Sequence, residues 1–486
     1  MKTNLKTYLL LFIVIGSLLA SCSKGGIDPD NGGNNSSTEQ KVSNDNSLRN
    51  FAFLKSSNTT LANNCTGVAD GTTIYISVPD GVSLETLVPS FSVHEKATVH
   101  VGSTTVQGGT TQIDFTKTVD LTVTSESGSK RIYTILAKNC NPDADNKVYS
   151  FMIKHGIPGV SVSISKDEEI VYSAGYGFAD KDTRERVTPD HMFRLASMSK
   201  QHAAIAIMTL VEQGKLKLTD TVFGKDGILH NAFGDNMHSS WKTIAVEHLL
   251  SHTSGILTDC IFGSSTYAGK DINGRISLLL QNAKVEYTPG TVHKYNNTNF
   301  GILGKIVEVI TGKSFMKYLQ DDIYTPLGIT GIDAGNNDAP KKGEVNYYGQ
   351  DGKNPYGNDV EAGVAAGGVI ASTPALMKLM AHLDYGTKVK DIFKKETLDR
   401  MYTPIDVVDI DGDAFDQYAL GWRINYDNYP DWDVLHGGTL AGVSTIWARS
   451  YDNVNGVVLC NSRSYNKSID PDMWHMLEDI QDMYRK

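Results

Sequence analysis

The stretch M-F-R-L-A-S-M-S-K (192–200) sets Ser197 three residues before Lys200, the spacing at which a hydroxyl and an amine can meet. The pattern S-x-x-K selects nothing by itself. It begins at Ser21, Ser127, Ser163, Ser197, Ser239, Ser314 and Ser464. The residues after Ser197 do the selecting. In K-Q-H-A-A-I-A-I-M-T-L-V-E-Q-G-K (200–215), Ile205, Met208 and Val211 share one helical face, and Gly214 stands past the end as a cap. This predicts a buried helix with Ser197 in its first turn, so that Lys200 lies on the same face. A lysine held in a desolvated site loses its preference for the charged form and can accept a proton. The helix N-terminus favours negative charge developing nearby. A serine nucleophile needs this arrangement. The other matches lack such a helix. Ser127 falls in an S-G-S-K turn, and Ser163 lies in a strand whose alternation sends Lys166 to the opposite face. Ser239 lies in a loop-like segment, Ser314 reads as a helix cap, Ser464 sits in a polar turn, and Ser21 belongs to the N-terminal leader.

Working outward, 486 residues exceed one ordinary core, so two or more domains are expected. Residues 1–22 read as a secretory signal: Lys2 and Lys6 precede an apolar run that ends in Leu19-Ala20-Ser21-Cys22. The run from Tyr8 to Ala20 is 13 residues, short of the roughly 20 that cross a bilayer. L-A-S-C resembles a bacterial lipobox, which implies that Cys22 is lipidated and becomes the mature N-terminus. Residues 23–46 hold almost nothing to bury and read as a flexible tether. The expected location is the bacterial cell envelope, on the periplasmic or outer-membrane side, with membrane contact through the lipid anchor alone.

Residues 47–142 read as all-β, because short alternating runs are punctuated by P-D-G, G-G-T and S-G-S turns. A small sandwich is expected, similar to the immunoglobulin-like modules that precede catalytic domains in surface lipoproteins. N-P-D-A-D-N (141–146) reads as a boundary. From 146 to 486 the texture is α/β (α+β): a helix from Lys147 to His155, a strand hairpin, a helical middle, returning strands and an amphipathic helix from Asp470 to Arg485. Strands at both ends of a helical middle predict one antiparallel sheet built from distant segments.

The net charge of −10 argues against a polyanion-binding surface, so no nucleic-acid partner is expected. No C-x-x-C or H-E-x-x-H spacing suggests a metal, and no cofactor is implied. Cys65 and Cys140 lie near the two ends of the predicted sandwich. Their placement suits a disulfide in an oxidising compartment, and four unpaired thiols (Cys65, Cys140, Cys260, Cys460) suit the sequence equally well.

G-Y-G-F-A-D (175–180), the stretch around Ser197, H-L-L-S-H-T-S-G-I (248–256) and A-G-G-V-I-A-S-T (366–373) together resemble the serine β-lactamase-like family. Its members include class C β-lactamases, D-Ala-D-Ala carboxypeptidases, D-aminopeptidases and esterases. The resemblance implies an antiparallel sheet flanked by helices, a helical region packed beside it, and an active site between them. It also implies two further motifs. Tyr295-Asn296-Asn297 supplies Y-x-N ahead of an amphipathic helix, Gly301 to Ile310, with Tyr295 as proton shuttle and Asn297 bonded to substrate and Lys200. His436-Gly437-Gly438-Thr439 stands where relatives carry K-[ST]-G. Gly438 there admits close approach of substrate, and the Thr439 amide pairs with the Ser197 amide as oxyanion donor.

His436 departs from the lysine that grips a carboxylate in β-lactamases and carboxypeptidases. A largely neutral imidazole binds anions less well, which turns the reading toward ester hydrolysis, amide or amino-terminal peptidase action, or acyl transfer. His252 invites a triad reading, yet Lys200 already supplies a base, so His252, His202 and His293 are read as structural. Polar loops 266–275 and 334–359 are read as rims of the site. The sequence therefore predicts a serine hydrolase with an acyl-enzyme on Ser197, acting on a small-molecule acyl substrate. The alternatives are an acyltransferase, a β-lactamase or carboxypeptidase, and an inactive binding or sensor domain. Oligomeric state is left open.

Overall fold

A computed structural model describes residues 42–263, 265–410, 417–424, 432–465 and 468–485. The signal segment, Cys22 and most of the tether lie outside the described residues. Asn44–Lys486 form one compact unit.

Among the described residues, the N-terminal part folds as two sheets. A three-stranded sheet runs in the order Cys65–Thr66, Arg49–Phe53, Pro89–Ser92. A six-stranded sheet is centred on Thr73–Val78, Lys130–Asn139 and Val119–Thr124. Alternation drives this: in V-D-L-T-V-T every second residue is buried, and Leu121, Ile135, Ile76, Phe53 and Phe115 meet in one core. Cys65 belongs to this core and Cys140 to a different one, and both are free thiols.

The helix expected from Lys147 starts earlier, within the boundary stretch 141–146, as α1 (Pro142–His155). Asn141 caps it by accepting from the Asp143 and Ala144 amides, proline occupies the first turn, and Asp143 and Asp145 complement the dipole. The two parts are thus joined by a short junction, and the contacts that hold them include three of different kinds. Arg184 is bidentate to Asp120, with Nη2 2.7 Å from Oδ1. Lys138 Nζ lies 3.3 Å from the fully buried Asp145. Tyr75 stacks on Tyr149 at 4.8 Å between ring centroids.

The second part is built on a seven-stranded antiparallel sheet. Its strands are β1 (Gly159–Lys166), β2 (Glu169–Asp180), β3 (Glu185–Arg186), β4 (Arg423–Ile424), β5 (Trp432–Leu440), β6 (Val443–Ser450) and β7 (Val454–Cys460), in the order β3-β2-β1-β7-β6-β5-β4. The first hairpin thus pairs with strands from the far end of the chain, with Val162 opposite Val458. The sheet is covered on both faces, so its central strands β1, β7 and β6 are buried almost throughout. On one face α1 and the C-terminal helix (Ile469–Arg485) pack Met152, Met473, Leu477 and Ile480 against Val160, Val162 and Val458. The other face meets the helical region, which includes α2 (Ser199–Glu212), α3 (Asn297–Thr311) and α4 (Thr373–Met380); the C-terminal helix is α5. Ser161 and Ser163 of β1 face α4 and bond the Thr373 hydroxyl at 2.8 and 2.9 Å, so Ser163 is spent on packing.

Candidate active site

Ser197 lies at the junction of sheet and helical region. It occupies a 3₁₀ turn, Ala196–Met198, immediately ahead of α2, where the sequence pattern had placed it in the helix proper. The reason is local: Ala196, the first residue of the turn, takes a left-handed backbone (φ 50°) that a right-handed α-helix does not contain. Neighbours hold this turn in place. The Leu195 amide donates to the Val369 carbonyl (2.8 Å), the Thr445 hydroxyl donates to the Leu195 carbonyl (2.9 Å), and Ser199 Oγ accepts from the Val369 amide (3.0 Å).

Gly438 on β5 lets the strand come this close. A Cβ there would sit 2.2 Å from the Leu195 carbonyl oxygen and 2.3 Å from Thr445 Oγ1. Ser197 is half-buried, and Lys200, one turn on, is fully buried. Lys200 Nζ lies 3.3 Å from Ser197 Oγ, 2.7 Å from Asn297 Oδ1 and 2.7 Å from the Ala366 carbonyl. Burial pushes its pKa down to about 7; Asp259 opposes the shift and Arg423 adds to it.

Y-x-N straddles the start of α3. Asn296 caps the helix by accepting from the Thr298 amide (2.9 Å), so Asn297 is its first residue and faces Lys200. The Tyr295 ring centroid lies 4.8 Å from Lys200 Nζ. His252 sits behind this ring at 4.3 Å. Its Nδ1 accepts from the Asn296 amide and from Asn299 Nδ2, both at 3.1 Å, so it anchors the start of α3. His202 bonds Tyr324 and His293 faces Asp409, and neither lines the cleft.

His436 is buried beside the cleft. Its Nδ1 is 2.7 Å from the Gly437 carbonyl and its Nε2 is 3.1 Å from the Tyr418 hydroxyl. A carbonyl only accepts, so Nδ1 carries the hydrogen and Nε2 accepts from Tyr418. Burial, with Arg423 and Lys200 nearby, holds His436 well below the ordinary imidazole range. It is therefore uncharged.

The cleft has a volume of about 270 Å³, and Ser197, Tyr295, His436, Gly438 and Thr439 all line it. Sequence reasoning had not singled out Arg423, Asp470 or Trp474, which line it too. Arg423 comes from β4 and sits 5.7 Å from the Tyr295 ring centroid. The signal was present in G-W-R-I, where Trp422 and Ile424 are buried and Arg423 alternates to the other side. Asp470 and Trp474 are one turn apart on α5. Asp259, from the segment after H-T-S-G, also reaches the group, accepting from Asn297 Nδ2 at 2.8 Å. No residue type or spacing pointed to it.

The loops read as rims need correction. No described residue of 266–275 or 334–359 lines the Ser197 cleft. The end of the first is already helical, in Ile272–Asn282. An ion pair between Arg275 and Asp359 draws the loops together around a separate cavity of about 240 Å³. Among the described residues no cluster of histidine, cysteine or carboxylate side chains could hold a metal ion.

The beta-lactamase family model matches residues 144–479, which include every residue of this cleft. The chain belongs to the beta-lactamase family of serine hydrolases. The family model "SGBP, N-terminal" matches residues 57–136, within the all-β part. Protein flp of Staphylococcus aureus (strain MRSA252) is 26% identical over 334 residues, which cover 68% of this chain and 64% of that protein. The chain therefore spans less than two thirds of this curated relative. Among solved structures, the octameric penicillin-binding protein homologue from Pyrococcus abyssi superposes with a TM-score of 0.55 at 25% identity, covering 66% of this chain and 73% of that one. The D-amino acid amidase from Ochrobactrum anthropi SV3 shares the fold at a TM-score of 0.57 and 22% identity, covering 70% and 99%.

Replacing Gly438 by alanine is expected to push β5 off the Ser197 turn. Labelling of Ser197 by an alkyl fluorophosphonate should slow by about 100-fold, the scale at which an ångström of misplacement acts, while the fold, followed by circular dichroism, persists.

Proposed function

We propose that the protein forms an acyl-enzyme on Ser197 and hydrolyses a small amide or peptide-like substrate that bears an acidic group. The observation that carries this reading is the environment of Lys200. Its Nζ faces two oxygens at 2.7 Å that can only accept, Asn297 Oδ1 and the Ala366 carbonyl. A neutral amine has two hydrogens, and both are used there. The remaining lone pair is left for the third neighbour, Ser197 Oγ.

The Ser197 hydroxyl gives its proton to Lys200 as its oxygen bonds the substrate carbonyl carbon. The amides of Ser197 and Thr439 stabilise the oxyanion. The bond to the leaving amine breaks as Tyr295 gives that nitrogen its hydroxyl proton and takes the one held by Lys200, and water then releases the acid by the reverse path.

His436, uncharged, cannot grip an anion, and Arg423 supplies the cation in the same cleft. This weakens the sequence-based argument against acidic substrates. Several solved neighbours are named as D-alanine carboxypeptidases or a D-amino acid amidase, which supports amide chemistry on this fold. Anchoring through a lipidated Cys22 in the bacterial envelope is part of the same proposal, and metabolic labelling with a fatty acid reads it.

Four outcomes test the reading. Mass spectrometry after fluorophosphonate treatment should place the adduct on Ser197 and find none in Ser197→Ala; an adduct elsewhere removes the proposal. Product analysis with amine acceptors present separates transfer from hydrolysis. Because Lys200 must be neutral, kcat/KM should rise with pH to a midpoint near 7 and fall about tenfold per pH unit below it. Arg423→Ala should raise KM about 10- to 100-fold for amides carrying a carboxylate, the scale of one charged hydrogen bond, and leave neutral amides little changed.

A further inference from the structure

Asp259 is not explained by folding alone. Its Oδ1 accepts from the backbone amides of Ile261 (2.8 Å) and Phe262 (3.1 Å), which shapes its own loop. Its Oδ2 points away from that loop, to Asn297 Nδ2 at 2.8 Å. Arg275 props the segment from behind, donating to the carbonyls of Cys260 (3.1 Å) and Ile261 (2.6 Å). The carboxylate is thereby held in one place against one atom.

An amide side chain has two nearly isosteric ends, one donating and one accepting. A carboxylate oxygen fixed at one end accepts only, so Asn297 must offer it Nδ2. The other end, Oδ1, is then turned to Lys200. Reversed, the amide would present hydrogens to Nζ, and a neutral Lys200 would spend its lone pair on Asn297.

We infer that Asp259 is a positioning residue: it sets the orientation of the Asn297 amide and so directs the Lys200 lone pair at the Ser197 hydroxyl. The inference rests on the acyl-enzyme reading above and adds a component to it. Asp259 touches no reacting atom; it acts through two side chains in series. Charge alone is a different account, because the negative charge of Asp259 opposes the neutral form of Lys200. On that account its removal would help the base.

The test is the rate at which an alkyl fluorophosphonate labels Ser197 in the full chain. Asp259→Asn puts a donor opposite Asn297, reverses the amide, and should slow labelling by about 100-fold. Asn297→Asp sets two carboxylates against each other and should slow it similarly. The pair Asp259→Asn with Asn297→Asp restores donor to acceptor at both contacts. Measured at about pH 9, where the carboxylate now beside Lys200 no longer keeps it charged, the pair should return to within about tenfold of the unaltered chain. Wild-type labelling in Asp259→Asn overturns the inference, as does a folded pair no faster than its slower parent. If Asp259→Asn fails to fold and the pair folds and labels, the inference stands. If the pair also fails to fold, Asp259 belongs to its loop and the inference falls. A wild-type adduct on some other residue instead defeats the acyl-enzyme reading itself.

Discussion

A primary amine enclosed in protein is the constraint on which this site depends. Lys200 is fully buried, and the carboxylate of Asp259 is linked to it through the Asn297 amide. Burying a charged ammonium without a counter-ion is unfavourable enough that the group gives up its proton instead. Much of the surrounding structure serves that enclosure. The 3₁₀ turn carries the serine outward while the helix behind it is apolar and closed. Phe300 of α3 lies 5.7 Å from the amine by ring centroid, and the Ala366 carbonyl takes one of its hydrogens.

The sheet provides the other half. Because β1 pairs with β7, which pairs with β6, segments some 300 residues apart in sequence are locked in register. The Thr445 hydroxyl of β6 and the glycine at 438 of β5 then fix the height of the Ser197 turn against the strands. The position of the hydroxyl is thus a property of the whole sheet.

This division explains what the sequence could and could not show. Ser197 and Lys200 were legible because three residues of one helical run set their separation. Tyr295 and Asn297 were legible because the family resemblance implied Y-x-N and this match leads into an amphipathic helix. The antiparallel sheet followed from strands at both ends of the chain. Arg423 and Asp470 line the cleft and Asp259 backs Asn297, each from a remote segment, and nothing local marks a residue that long-range register will deliver. The two polar loops were misplaced because polarity reports exposure, not which cavity a loop overhangs. The start of α1 was placed at Lys147 and not at Pro142 because Asn-Pro-Asp serves equally as turn and as cap.

That helix start has a mechanical meaning. The chain passes from the last strand of the all-β part into α1 with only Cys140 and the capping Asn141 between them, and Arg184, Lys138 and Tyr75 clasp the two sides. A junction this short, clasped by side chains from both parts, ties the orientation of the all-β part to that of the part that bears the cleft.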